Sequence, residues 1–165
     1  METHYVFVDY ENTQPGNIGL IKGSPGNLKI KIFLGRHQSM IPLSMARALQ
    51  PLGEDAEYIQ LDRARRNTID FNIAFLLGEL ATQHPEARFS ILSNDPGFDV
   101  IVEGLKSKGV VSARYSDMET LLEQSAVIPS LQVALPESNV VALADNAVKQ
   151  PGISGENITQ FKALH

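Results

Sequence analysis

The sequence predicts an α/β fold, with a central, mostly parallel sheet of about five strands and helices wound on both faces. Three observations predict it. Short apolar segments rich in β-branched and aromatic residues recur at 4–8, 28–35, 56–61, 88–92 and 110–113. Between them lie stretches whose apolar residues fall at helical spacing, at 39–50, 68–82 and 98–108. Strands and helices then alternate throughout, the pattern of parallel strands joined by right-handed crossovers.

Each element has its own justification. His4–Val8 is short, apolar and bounded by turn residues, so it is the first strand. Residues 13–27, TQPGNIGLIKGSPGN, are rich in Gly, Pro and Asn and read as a loop with one helical turn at Ile18–Ile21. LKIKIFLG at 28–35 alternates Leu28, Ile30 and Ile32 with Lys29 and Lys31, the period of a strand. Ser39–Gln50 places Ile41, Met45, Ala48 and Leu49 on one helical face. Ala56–Leu61 is the third strand. In Thr68–Thr82, Ile69, Ile73, Leu76, Leu77 and Leu80 form a helical stripe. Phe71, Ala74 and Phe75 widen it, which predicts that most of this helix is buried. Arg88–Leu92 is the fourth strand, Phe98–Lys108 a helix, Val110–Ala113 the fifth strand and Met118–Gln124 a last helix. After about residue 126 the text becomes proline-broken, with one helical stretch at Ser138–Val148, and reads as an extension or linker.

Bulk properties narrow the function. A chain of 165 residues, 43% hydrophobic and 20% charged, suits one domain with a real core. No apolar run reaches the roughly 18 residues of a membrane span. METHYVFV has no basic segment or small-residue cleavage site, so no secretory signal is expected and the cytoplasm is the expected location. The chain has no cysteine, which rules out thiolate nucleophiles and cysteine zinc sites. A net charge of −5 means that nucleic acid would have to be met by a local basic patch or by bridging metal ions.

The first strand ends in a cluster of polar residues, VFVDYEN. In open parallel sheets, sites form at the carboxyl ends of strands near the point where the strand order reverses. Asp9 stands there, Asp95 stands just past the fourth strand in FSILSNDPGFD with Asp99 four residues on, and Asp70 heads the most apolar helix. Carboxylates gathered in one crevice repel one another unless a cation lies between them. Mg²⁺ and Mn²⁺ prefer such oxygen ligands, and they serve phosphodiester cleavage by activating water and neutralising phosphate charge. Structural roles compete at each position. Asp70 also fits the third residue of a helix capped by Asn67, and Asp95 before Pro96 fits an N-cap with proline at the first helical position. Asp9-Tyr10-Glu11 lacks the paired aspartates of a phosphohydrolase nucleophile motif.

VFVDYENTQP, NTIDFNIAFLLGEL and ILSNDPGFDVIVEGLKSKG, in that order, resemble the three acidic motifs of PIN-like domains, especially the NYN-type and bacterial PIN-like branch. The resemblance covers roughly residues 4–124. It implies a Rossmann-like three-layer sandwich over 1–126, with 127–165 as a C-terminal extension or linker. It further implies a Mg²⁺- or Mn²⁺-dependent ribonuclease acting on single-stranded RNA. Asp9, Asp70, Asp95 and Asp99 would be its catalytic, metal-binding acids, Asn12 the polar partner of the first motif, and Ser93 a hydroxyl near metal or phosphate. One departure stands out. Many NYN-type members carry a second acid immediately before the phenylalanine of the third motif; here that place is Gly97, and the acid comes one residue after Phe98.

Candidate RNA-binding cations are Arg36, with His37 beside it, after the second strand, and Arg63, Arg65 and Arg66 before the Asp70 helix. Lys106 and Lys108 read as a solvated helix end. Tyr10 and Tyr58 are the candidates for base stacking. An open sheet edge is compatible with a homodimer. The alternative to an enzyme is a fold of this type used as an RNA-binding or protein-interaction module.

Overall fold

The structure, a computed structural model, describes residues 2–13, 18–23, 27–62 and 67–127. Five strands, β1 (His4–Asp9), β2 (Leu28–Leu34), β3 (Ala56–Gln60), β4 (Arg88–Leu92) and β5 (Ser112–Tyr115), form one sheet in the order β3-β2-β1-β4-β5. Every neighbouring pair is parallel. The helices are α1 (Tyr10–Thr13), α2 (Leu43–Leu49), α3 (Thr68–Gln83), α4 (Phe98–Lys106) and α5 (Met118–Val127). Tight 3-10 turns occupy Ile18–Gly23 and Gln50–Asp55.

Strand periodicity divides the core in two. Tyr5, Phe7, Phe33, Phe89 and Ile91 face one way and pack on Ile69, Ile73 and Leu77 of α3 and on Phe98, Val102 and Leu105 of α4. Val6, Val8, Ile30, Ile32 and Leu92 face the other way, against Ile18, Ile21, Met45, Leu49, Met118 and Leu121. Each such side chain contributes about 1.5–3 kcal/mol on leaving water. The result is the expected three-layer α/β sandwich, with both central strands, β1 and β4, buried on both sides. At the edge, Lys29 reaches Asp55 (2.9 Å) and Lys31 reaches Glu57 (2.5 Å), exposed pairs that add little stability.

The largest departures from the sequence reading are in α2, β5 and α3. The helix expected from Ser39 begins at Leu43, because a residue before proline avoids helical backbone and Pro42 follows Ile41. Its end becomes a 3-10 turn at Pro51. The fifth strand starts at Ser112, not Val110. Gly109 adopts φ +80° after α4, and the Val110 N–H bonds back to the Leu105 carbonyl (3.1 Å), so the helix cap consumes the residue expected to start the strand. Finally, α3 is not mostly buried: Phe71 and Phe75 are 69% and 74% exposed, on the side opposite Ile69, Ile73 and Leu77. Apolar residues on every side of a helix predict a buried helix, but this sheet covers only one side of α3.

The tail from residue 128 onward lies outside the described residues, as does the helix expected at 138–148. No helix among the described residues is long and apolar enough to cross a membrane.

Candidate active site

The chain leaves β1 for β2 on one side of the sheet and returns to β4 on the other, so the strand order reverses between β1 and β4. Sites in open parallel sheets form at the carboxyl ends of strands beside such a reversal. Asp9 is the last residue of β1 and is fully buried. Its carboxylate accepts hydrogen bonds from the Asn12 side-chain amide (2.7 Å), the Ser93 hydroxyl (2.7 Å) and, at 3.4 Å, the Asn12 N–H. A buried carboxylate needs such donors. They come from the first and third of the segments that resemble PIN-like motifs, and Asn12 and Ser93 hold Asp9 in place.

Ser93 also accepts the Asp95 N–H (3.1 Å), which ties the first acid to the third motif. Asp95 in turn accepts the Gly97 N–H (2.8 Å) in the turn ahead of α4, whose N-cap position is Gly97 and not the expected Asp95. The same tuck explains Gly97, since a Cβ there would stand 3.1 Å from the Asp95 carboxylate. Two further bonds join the same segments: Asn94 donates to the Asn12 carbonyl (2.9 Å) and Thr13 to the Leu92 carbonyl (3.2 Å).

Asp70 enters from the first turn of α3. Asn67, the residue before that helix, takes left-handed backbone (φ 60°) and makes no side-chain cap, so the capping role considered for it is not seen. Partial burial raises the Asp70 pKa above its ordinary value, and the charges of Asp9, Asp95 and Glu11 raise it further. Four acids therefore share one electrostatic field. The sequence reading did not place Glu11 in the site. In the structure the end of its side chain lies over Gly35, where a Cβ would make it move, and no local sequence signal marks that approach.

Asp99 is engaged elsewhere. Arg114 of β5 grips it with both arms, Nε to Oδ1 at 2.6 Å and Nη2 to Oδ2 at 3.1 Å, and donates a third bond to the Ser93 carbonyl (3.0 Å). The Arg114 hydrogen bond and charge, with Lys106 farther off, lower the Asp99 pKa. Arg114 was not singled out in the sequence, where only its place in an apolar strand marks it.

Arg36 is exposed one residue beyond Gly35, as is His37 after it. Arg63, Arg65 and Arg66 fall outside the described residues. Tyr10 is 5% exposed and packs in the core, so it offers no face to a base; Tyr58 is 40% exposed on the edge strand.

Hard carboxylate oxygens suit a divalent cation in chemistry. In geometry the fit is incomplete: among the described residues no three His, Asp or Glu side chains converge closely enough to hold a metal. Residues 3–115 match the family model described as the PIN domain. No curated protein and no solved structure gives a match.

Proposed function

The chain belongs to the PIN-domain family, whose members are typically nucleases, and on that premise we propose that it is a metal-dependent ribonuclease of the NYN-type branch. Its substrate is single-stranded RNA and its location the cytoplasm. The observation that supports the reading is Asp70 at the head of α3, whose pKa is raised first by burial and then by the charges of Asp9, Asp95 and Glu11. Like charges held together at a strand-order reversal cost stability, and a cation offsets that cost.

In this reading Asp9, Asp70 and Asp95 hold Mg²⁺ or Mn²⁺, with Glu11 at the rim. The ion supplies neutralisation of phosphate charge and activation of water. Asn12 and Ser93 keep the Asp9 carboxylate oriented. Arg36, with Arg63, Arg65 and Arg66, binds phosphates of the RNA backbone. Asp99 acts at one remove, by holding Arg114 against the Ser93 carbonyl, and Gly97 lets Asp95 stay tucked.

One observation favours a second reading, an RNA-binding or interaction module without cleavage: the described acids do not converge as a preformed metal site. Incubating labelled single-stranded RNA with Mn²⁺, Mg²⁺ or EDTA separates the two. The nuclease reading expects cutting with metal, none with EDTA, and none from Asp9→Asn or Asp95→Asn. Equal cutting by the variants, or none by the wild type, sinks it.

A further inference from the structure

We propose that the outer ridge of α3 is a self-association surface, on which a second copy of the chain packs its own α3 antiparallel about a two-fold axis. The ridge is Phe71, Phe75, Gly78 and Thr82. Their spacing of four, three and four residues keeps them in one line along a helix. The line lies opposite Ile69, Ile73, Leu77 and Ala81, which face the sheet. Phe71 and Phe75 leave 69% and 74% of their surface in water, an unusual state for two phenylalanines one turn apart.

Gly78 is the second observation. It sits inside α3 without a left-handed backbone, and a Cβ built there meets nothing within 4 Å. Glycine in a helix interior costs stability, and nothing within the described chain requires it. A second molecule approaching the notch does. Thr82 adds no unmet polar group, because its hydroxyl already donates to the Gly78 carbonyl (2.8 Å).

The order along the ridge, two large residues then two small, selects the occupant. An antiparallel copy sets Phe75 over Gly78 and Phe71 over Thr82, and the symmetric contacts repeat the match. A parallel copy would set phenylalanine against phenylalanine. A surface complementary to itself under a two-fold is what an isologous dimer requires. On α4, Val100 (73% exposed) and Gly104, whose Cβ would also meet open space, repeat the same large and small character. Charge argues against RNA here, since the 16 residues of α3 include no Lys or Arg to meet phosphates.

The two phenylalanines would bury about 300 Å² per copy, from the usual aromatic contribution. That is under half of the roughly 800 Å² per partner in a standard interface, so α4 and the rim must contribute and the dimer depends on concentration.

Sedimentation velocity on the full chain, from micromolar to millimolar concentration, tests this. The mass should rise from 18.1 kDa toward twice that value. Phe75→Glu should keep it at one chain throughout. Gly78→Leu should weaken the dimer about tenfold by overpacking the notch, while raising the melting temperature of the dilute chain, which excludes misfolding as the cause. Phe75→Ala combined with Gly78→Phe exchanges large for small and should restore the dimer. A single-chain mass at millimolar concentration overturns the proposal, as does wild-type dimerisation by Phe75→Glu. So does an unchanged mass with weakened single-stranded RNA binding in that variant, which would give the ridge to nucleic acid.

Discussion

The central strands β1 and β4 begin and end in opposite electrostatic conditions. At their amino ends His4 bonds to Ser90 (2.7 Å), Arg88 meets Glu2 (3.4 Å), and the Tyr5 ring stacks between Phe89 (5.3 Å) and His84 (5.8 Å). Burial, helped by the Arg88 charge, lowers the His4 pKa to about 4, so the ring is neutral at neutral pH. At their carboxyl ends Asp9, Asp70, Asp95 and Glu11 accumulate like charge. Charge is matched or neutralised where only folding is served, and concentrated where a cation and a phosphate would bind. The contrast teaches that the acids are not there for stability.

Four experiments sharpen that contrast, from the largest effect to the smallest. Asp70→Asn should cost more than about a hundredfold in metal-dependent cleavage, since even partners behind a metal ligand cost 10–100-fold. The same variant should melt at a higher temperature than the metal-free wild type. A carboxyl whose folded pKa is raised stabilises the fold while protonated and loses that contribution as pH rises through the folded pKa. Lower stability in Asp70→Asn would remove the asymmetry between the two ends.

The amino end carries the opposite sign of pH dependence. His4 has a lowered folded pKa, so its contribution is present above 6.5 and is lost as pH falls toward about 4. Urea titrations across that window should show stability rising with pH by at most about 3 kcal/mol, and His4→Gln should flatten the curve. Ser93→Ala removes one donor from the buried Asp9 carboxylate. It should lower cleavage by about 10–100-fold and stability by about 1–2 kcal/mol, measured by single-turnover kinetics and by urea unfolding. Asp99→Asn breaks only the grip of Arg114 and should change cleavage by no more than about fivefold, the range of an exposed ion pair. A loss as deep as that of Asp70→Asn would place Asp99 among the metal ligands.

Much of this was legible in the sequence. β4 was read residue for residue, because RFSIL is a short run buried on every side between turn residues. The crossovers followed from the alternation of periods, and Asp9, Asp70 and Asp95 from their positions at strand ends and a helix head. What was not legible depends on partners far along the chain. Asp99, in α4, meets Arg114, 15 residues on in β5. Glu11, in α1, lies against Gly35, just past the end of β2. Phe71 and Phe75 carry the same apolar signal whether a helix face meets a sheet or water, so only the arrangement of layers separates them from Ile73. The β5 boundary slipped because the cap at Gly109 competes with the strand for Val110.

The central claim is that the acids at the carboxyl edge form a cation site. Isothermal titration of Mn²⁺ into the wild type, Asp9→Asn and Asp95→Asn, without RNA, tests it most directly. Binding to the wild type and its loss in both variants is the expected result. Equal binding by all three, or no binding by the wild type, would contradict it.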